Sequence, residues 1–197
     1  MKKILLSMVV SCALMPAHAT VSVFDAFLSG VNESPANASP GTGFALVSFD
    51  SAANTLQVQV LFAGLLGTTT ASHIHAATTV AGAGTAGVAT TTPTFAGFPL
   101  GVTSGSYSNT LDLTLASSYN PAFVTANGGT TTTAEAALVA AMFAGKSYLN
   151  IHTTVVPGGE IRGFLTLVPE PNTVALVGLG GFGMAMRAWN KRRSNKG

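Results

Sequence analysis

Between residues 20 and 168 the chain carries three histidines: His73, His75 and His152. His73 and His75 stand in Ser72-His73-Ile74-His75, and His152 in Tyr148-Leu-Asn-Ile-His-Thr153. In a strand, residues i and i+2 point to the same face, so the first two imidazoles lie side by side, roughly 6–7 Å apart along the chain. If the strand bearing His152 neighbours the first, three imidazoles converge. Three neutral imidazoles suit copper or zinc. Asp112 or Glu160 offers an added oxygen ligand, or a carboxylate that orients an imidazole from behind. The competing reading is that the histidines hydrogen-bond within a sheet and fix its register. Glu160 and Arg162 are also two residues apart. They are expected to form a structural ion pair or to brace the backbone, with a ligand-binding pair as the alternative. Asp25 and Glu33 are separated by a loop and nothing orients them as catalytic carboxylates. No Gly-x-Ser-x-Gly or comparable nucleophile context occurs. The expectation is a protein without catalytic residues.

The elements that must position these groups are mostly strands. Val21–Leu28 and Gly43–Phe49 read as strands on either side of a turn-rich loop at Asn32–Thr42. Thr55–Phe62 alternates strictly, with Leu56, Val58, Val60 and Phe62 on one face and Gln57 and Gln59 on the other. With the turn Asp50–Asn54 it forms a hairpin with the preceding strand. A short strand surrounds His73–His75. Ala76–Gly101 is a long loop with one embedded strand near Gly87–Thr91. Gly105–Leu115 is a strand with Leu111, Leu113 and Leu115 on one side. Asn120-Pro121 and Asn127-Gly128 read as turns. Thr132–Ala144 is the one helix, with capping-box spacing at Thr132 and Glu135, and Gly145 to close it. Leu138 and Met142 are its apolar face. Ser147–Thr153, the turn at Pro157-Gly158-Gly159, and Glu160–Leu167 make a second hairpin. The fold class is all-β: a Greek-key β-sandwich or barrel with one short helix.

The two ends differ in composition from this domain. Met1-Lys2-Lys3, the apolar Ile4–Val10 and the small-residue Ala17-His18-Ala19 predict a signal peptide over residues 1–19, cut by signal peptidase. A rival reading takes Val9-Val10-Ser11-Cys12 as a lipobox with Cys12 lipidated. Cys12 is the chain's one cysteine, so cleavage after Ala19 leaves no disulfide and no thiolate metal site. The span Thr20–Val168 holds six carboxylates against two cations, a net charge of −4 although the whole chain is +2. That excludes a nucleic-acid footprint, because the basic residues belong to the ends.

At the C-terminus, Val168-Pro169-Glu170-Pro171 is followed by the uncharged Thr173–Met186 and then by Arg187, Lys191, Arg192, Arg193 and Lys196. A basic cluster behind an apolar stretch resists translocation. The order resembles the PEP-CTERM sorting signal of Gram-negative bacteria. The resemblance implies export through the inner membrane, transient anchoring by a C-terminal transmembrane segment over residues 168–197, and processing by an exosortase-type membrane protease near Pro169, Glu170 and Pro171. It also implies placement at the cell surface or outside, with extracellular polysaccharide and biofilm matrix. An ordinary C-terminal anchor is the alternative, but the run is short of the about 20 apolar residues a span takes.

Within residues 20–167, the His-Ile-His segment together with Tyr148–Thr153 and Pro157-Gly-Gly-Glu-Ile-Arg-Gly-Phe-Leu165 resembles the CHRD domain. The resemblance covers about Val23–Leu167 and brings no established biochemical activity with it. The histidine pattern is also similar to the copper half of a Cu/Zn superoxide dismutase. No fourth histidine and no His/Asp-rich zinc loop accompany it, so dismutase activity is not expected. Two functions follow as expectations: a non-catalytic, exported surface or matrix protein, and alternatively a copper- or zinc-binding protein, with copper redox chemistry as one form of it, using His73, His75 and His152.

Overall fold

Strict alternation builds the first three strands of the computed structural model, which describes residues 21–169. Strands β1 (Val21–Ser29), β2 (Thr42–Asp50) and β3 (Thr55–Ala63) form a meander. They bury Phe24, Ala26 and Leu28, then Ala45, Val47 and Phe49, then Leu56, Val58, Val60 and Phe62 on one face. The predicted hairpin is present, with Asp50 opposite Thr55. Its turn is held as the sequence chemistry requires: the Asp50 carboxylate accepts from the amides of Ala52 and Ala53, and Asn54 takes a left-handed φ of 52°.

The remaining strands are β4 (Thr69–His75), β5 (Gly105–Asp112), β6 (Tyr148–Thr153), β7 (Ile161–Phe164) and the short β8 (Thr166–Leu167). All pair antiparallel in one sheet of order β4-β6-β7-β1-β2-β3-β5, with β8 on β1. β7 returns by a long connection to lie beside β1 of the meander, which is the Greek-key order. The sheet curls into an antiparallel half-barrel, so the expected all-β class holds.

The helices differ in part from expectation. There are two, α1 (Pro121–Ala126) and α2 (Thr131–Phe143). Asn120-Pro121 is a helix start and not a turn. The Asn120 side chain accepts from Ala122 N, and proline at the first helical position loses no hydrogen bond. The capping box of α2 uses Thr130 and Thr133, two residues before the expected pair, because a Thr hydroxyl can serve both halves of the box. Gly145 does close it, at φ 65°. Ala134, Leu138, Ala141 and Met142 of α2 are buried, and Phe143 meets Phe24 edge-on at 5.2 Å between ring centroids. β5 stops at Asp112, whose carboxylate accepts from Thr114 and turns the chain, so Leu115 is exposed and does not continue the apolar row.

The expected strand at Gly87–Thr91 is only two isolated bridges, at Val88 and Thr90. The segment still does a strand's work for β4. Ala89 N and Thr90 N donate to Ile74 O, Phe95 N donates to Ser72 O, and the hydroxyls of Thr90 and Thr94 accept from Ile74 N and Ser72 N. The free edge of β4 is thereby covered, without the regular ladder that would invite another chain.

Among the described residues no helix is long and apolar enough to cross a membrane. The signal peptide, Cys12, Glu170, Pro171 and the apolar segment after them lie outside those residues; Pro169 is the last one within.

Gly163 shows how closely β7 approaches β1. A Cβ built there would stand 2.4 Å from Phe27 O, a backbone atom that cannot move alone. Gly163→Ala is expected to destabilise the domain by about 1–3 kcal/mol through overpacking, measured by urea denaturation.

Candidate metal centre

The strands β4, β6 and β7 are buried on both faces. Ser72, Ile74, Leu149, Ile151, Thr153 and Ile161 belong to the inner face, while His73, His75, Tyr148, Asn150 and Arg162 are buried on the other. Cross-strand register sets the second group. His73 lies opposite Asn150, which lies opposite Arg162, and His75 lies opposite Tyr148, which lies opposite Phe164. His152 lies opposite Ala71, one row further along β4. Residues in register share a face, so the three histidines gather on one patch.

Ring centroids are 5.8 Å apart for His73–His75, 5.3 Å for His73–His152 and 6.2 Å for His75–His152. One ring nitrogen from each of the three lies within 4.8 Å of the other two. The structure therefore brings the predicted trio together. It does not bring in Asp112, which is exposed at the end of β5, or Glu160, whose partners lie elsewhere.

Each ring is oriented by a backbone carbonyl. His73 Nε2 meets Pro93 O at 2.5 Å, His75 Nδ1 meets Ala86 O at 2.9 Å, and His152 Nδ1 meets Pro157 O at 2.8 Å. A carbonyl can only accept, so the proton of each neutral ring sits on those nitrogens. The lone pairs are then on His73 Nδ1, His75 Nε2 and His152 Nε2. Two of these, His73 Nδ1 and His152 Nε2, are buried with no hydrogen-bond partner. Metal-bound histidines are held this way, the second N–H given to a carbonyl and the free lone pair aimed at the ion.

Two of the rings, His73 and His75, are also kept neutral. Burial pushes His73 down to about 4, against the help of the Pro93 carbonyl, with His152 and His75 adding to the fall. Burial likewise lowers His75, and His152 and the Arg162 charge act in the same direction. His75 stacks on Tyr148 at 4.7 Å with the planes 5° apart, and the Arg162 guanidinium carbon lies 4.7 Å from that same ring centroid. Tyr148 thus packs against both a candidate ligand and a buried cation.

Glu160 and Arg162 do not pair with each other, but each braces the backbone. Glu160 precedes β7 and is fully buried. Its oxygens accept from Ser39 Oγ and Thr153 Oγ1, both at 2.6 Å, and from the amides of Leu66 at 2.5 Å and Gly67 at 3.2 Å. Burial alone would raise its pKa, but these four donors outweigh it and hold the carboxyl below its ordinary value. Arg162 instead faces Glu33, with Nε 3.7 Å from Glu33 Oε2, and donates to Asn32 O through Nε and to Gly84 O through Nη1. Burial raises Glu33 to about 7, although Arg162 and the Ser34 amide pull it down.

Comparison with known families agrees with this architecture. Residues 24–165 match the model of the CHRD domain. The chain belongs to the CHRD domain family. Residues 167–193 match the PEP-CTERM protein-sorting motif, which marks a chain for export, transient membrane anchoring and exosortase processing. No curated protein and no solved structure matches the chain. In this CHRD domain the His-Ile-His strand and the Tyr148–Leu165 hairpin, which carry the sequence resemblance, are the same segments that build the histidine patch.

Sequence reasoning passed over Asn150, Tyr148 and Glu33. The first two carried a signal, since Tyr148, Asn150 and His152 alternate on one strand and must share a face. The carbonyls of Ala86, Pro93 and Pro157 carried none, because they come from irregular backbone.

Two outcomes follow. Glu160→Gln puts an NH2 group in place of one oxygen, where two of the four donors point, and is expected to cost about 3 kcal/mol in chemical denaturation. For the metal-free protein, His73 is neutral in the fold down to about pH 4 but titrates near 6.5 when unfolded. The unfolded state therefore binds more protons between those values, and stability falls as pH is lowered from 6.5 to 4. Melting temperatures across that window, measured with chelator present, should fall for the wild type and fall less for His73→Phe.

Proposed function

We propose that this protein is an exported, non-catalytic CHRD protein that binds a divalent transition metal, copper or zinc, through His73, His75 and His152. The observation that carries the reading is the carbonyl bonding of all three rings, which leaves a lone pair on the other nitrogen of each, two of them, on His73 Nδ1 and His152 Nε2, buried with no hydrogen-bond partner. Unpaired lone pairs in a buried patch repel, and burial without a partner costs free energy. A cation among them removes both costs. The donor set is all imidazole, which fits zinc and copper and is a poor match for magnesium or calcium.

The sorting motif supports an address. A chain handled by an exosortase passes through the inner membrane and reaches the surface or the extracellular matrix, where polysaccharide is the prevailing neighbour. Signal peptidase at Ala19 and an exosortase-type membrane protease at the PEP motif are the processing partners of this reading.

The binding test is thermal denaturation and calorimetric titration of the full chain with zinc and with copper(II). One ion per chain should bind, and a hundredfold excess over Kd should stabilise by about 2.7 kcal/mol. His73→Ala with His75→Ala should lose both effects. If the histidine variants are destabilised equally with and without metal, and the wild type gains nothing from either ion, the histidines are structural and the protein is a matrix component alone. The sorting test is intact-mass analysis of the protein from its native host. The mature form should lack the residues after about Pro171, and a surface-located form that retains Gly197 would exclude processing.

A further inference from the structure

His75 has a contact that the three-histidine reading does not use. Its Nδ1 faces Ala86 O at 2.9 Å, so the ring proton is there and Nε2 carries a lone pair. Nε2 lies 3.1 Å from Asn150 Oδ1, which is also a lone-pair donor. Two acceptors at that distance repel, and both are buried. A cation between the two atoms relieves it.

We propose that Asn150 is the fourth ligand of the metal centre, through its side-chain carbonyl oxygen, closing an N3O set with His73 Nδ1, His75 Nε2 and His152 Nε2. This rests on the metal-centre reading above and specifies it further. The position is set by the sheet and not by a loop. Asn150 stands on β6 opposite His73 and two residues before His152 on the same face. Its backbone is fixed from the far side by Ser72 Oγ, which donates to Asn150 O at 2.7 Å. The His75–Asn150 spacing of 3.1 Å is close to that of a coordination shell. In a tetrahedral site with bonds of about 2.0–2.2 Å, neighbouring ligand atoms stand about 3.3 Å apart. A neutral amide oxygen among three imidazoles leaves the full double charge on the ion and favours divalent zinc or copper(II) over copper(I), which prefers softer donors.

One other arrangement satisfies the 3.1 Å contact. If the amide is turned over, Nδ2 donates to His75 Nε2 and occupies the lone pair that the metal needs. The two arrangements predict opposite effects. Zinc affinity of the full chain is measured by competition with a chromophoric chelator for the wild type, Asn150→Ala and Asn150→Asp, with folding checked by circular dichroism. If Asn150 is a ligand, alanine weakens binding by at least about tenfold, and aspartate, which puts a charged oxygen in the same place, strengthens it. If the amide blocks His75, alanine binds zinc as tightly as the wild type or more tightly, and the proposal fails. A crystal structure of the zinc-loaded wild type needs no variant to fold. Oδ1 within about 2.0–2.2 Å of zinc establishes the ligand; a distance beyond about 3 Å overturns it while leaving the three-histidine site standing. Failure of the wild type to bind zinc or copper(II) at all removes both readings together.

Discussion

A fully buried carboxylate survives only if donors answer its charge, and the Glu160 side chain is answered by four. Those donors come from three separate places: Ser39 in the first long loop, Leu66 and Gly67 before β4, and Thr153 at the end of β6. One anion therefore ties the start of β7 to the strands on both sides of the histidine patch. Glycine is required around it for the same reason. A Cβ at Gly67 would stand 2.6 Å from Val155 N, and one at Gly159, already at φ 130°, would stand 2.6 Å from Glu33 Oε1. The Pro157-Gly-Gly-Glu-Ile-Arg-Gly run is thus less a turn followed by a strand than a clamp, and its closure sets where His152 and Arg162 stand.

The patch it positions has unusual electrostatics for a candidate cation site. The buried groups nearest to it are neutral rings, an amide and the Arg162 guanidinium. Glu33 offsets that guanidinium from 3.7 Å. Charge does not draw the ion in. The arrangement relies on preorganisation: three carbonyls hold three tautomers, the irregular loop along β4 supplies two of those carbonyls, and burial keeps protons off His73 and His75. The rings then need only a small inward shift to close on an ion.

Much of this was legible in the sequence, for a physical reason in each case. The β2–β3 hairpin was readable because Leu56, Val58, Val60 and Phe62 alternate with polar residues over a half-buried strand. His73 and His75 were readable as neighbours because a strand's period is two. That His152 joins them was conditional on strand order, which periodicity does not contain. Helix α1 was missed because Asn-Pro opens helices and turns alike, and only six residues follow. The Glu160–Arg162 pairing failed because alternation was extended one residue too far. Gly159 and Glu160 lie before the regular strand, and Glu33, the true partner of Arg162, is more than a hundred residues away in the chain.

The far end of the domain lies beside its beginning. β8 pairs with β1, and Val168 N donates to Val23 O at 2.8 Å. The sorting motif starts at residue 167, inside that pairing. At about 3.3–3.6 Å per residue, Pro169 can stand only about 10 Å beyond the last paired strand. A membrane protease that reads this motif must meet the folded body itself, with no slack to reach across. Val21, Leu167 and Val168, each at least 37% exposed, lie where the first and last strands of the sheet meet, so the domain begins and ends along one edge.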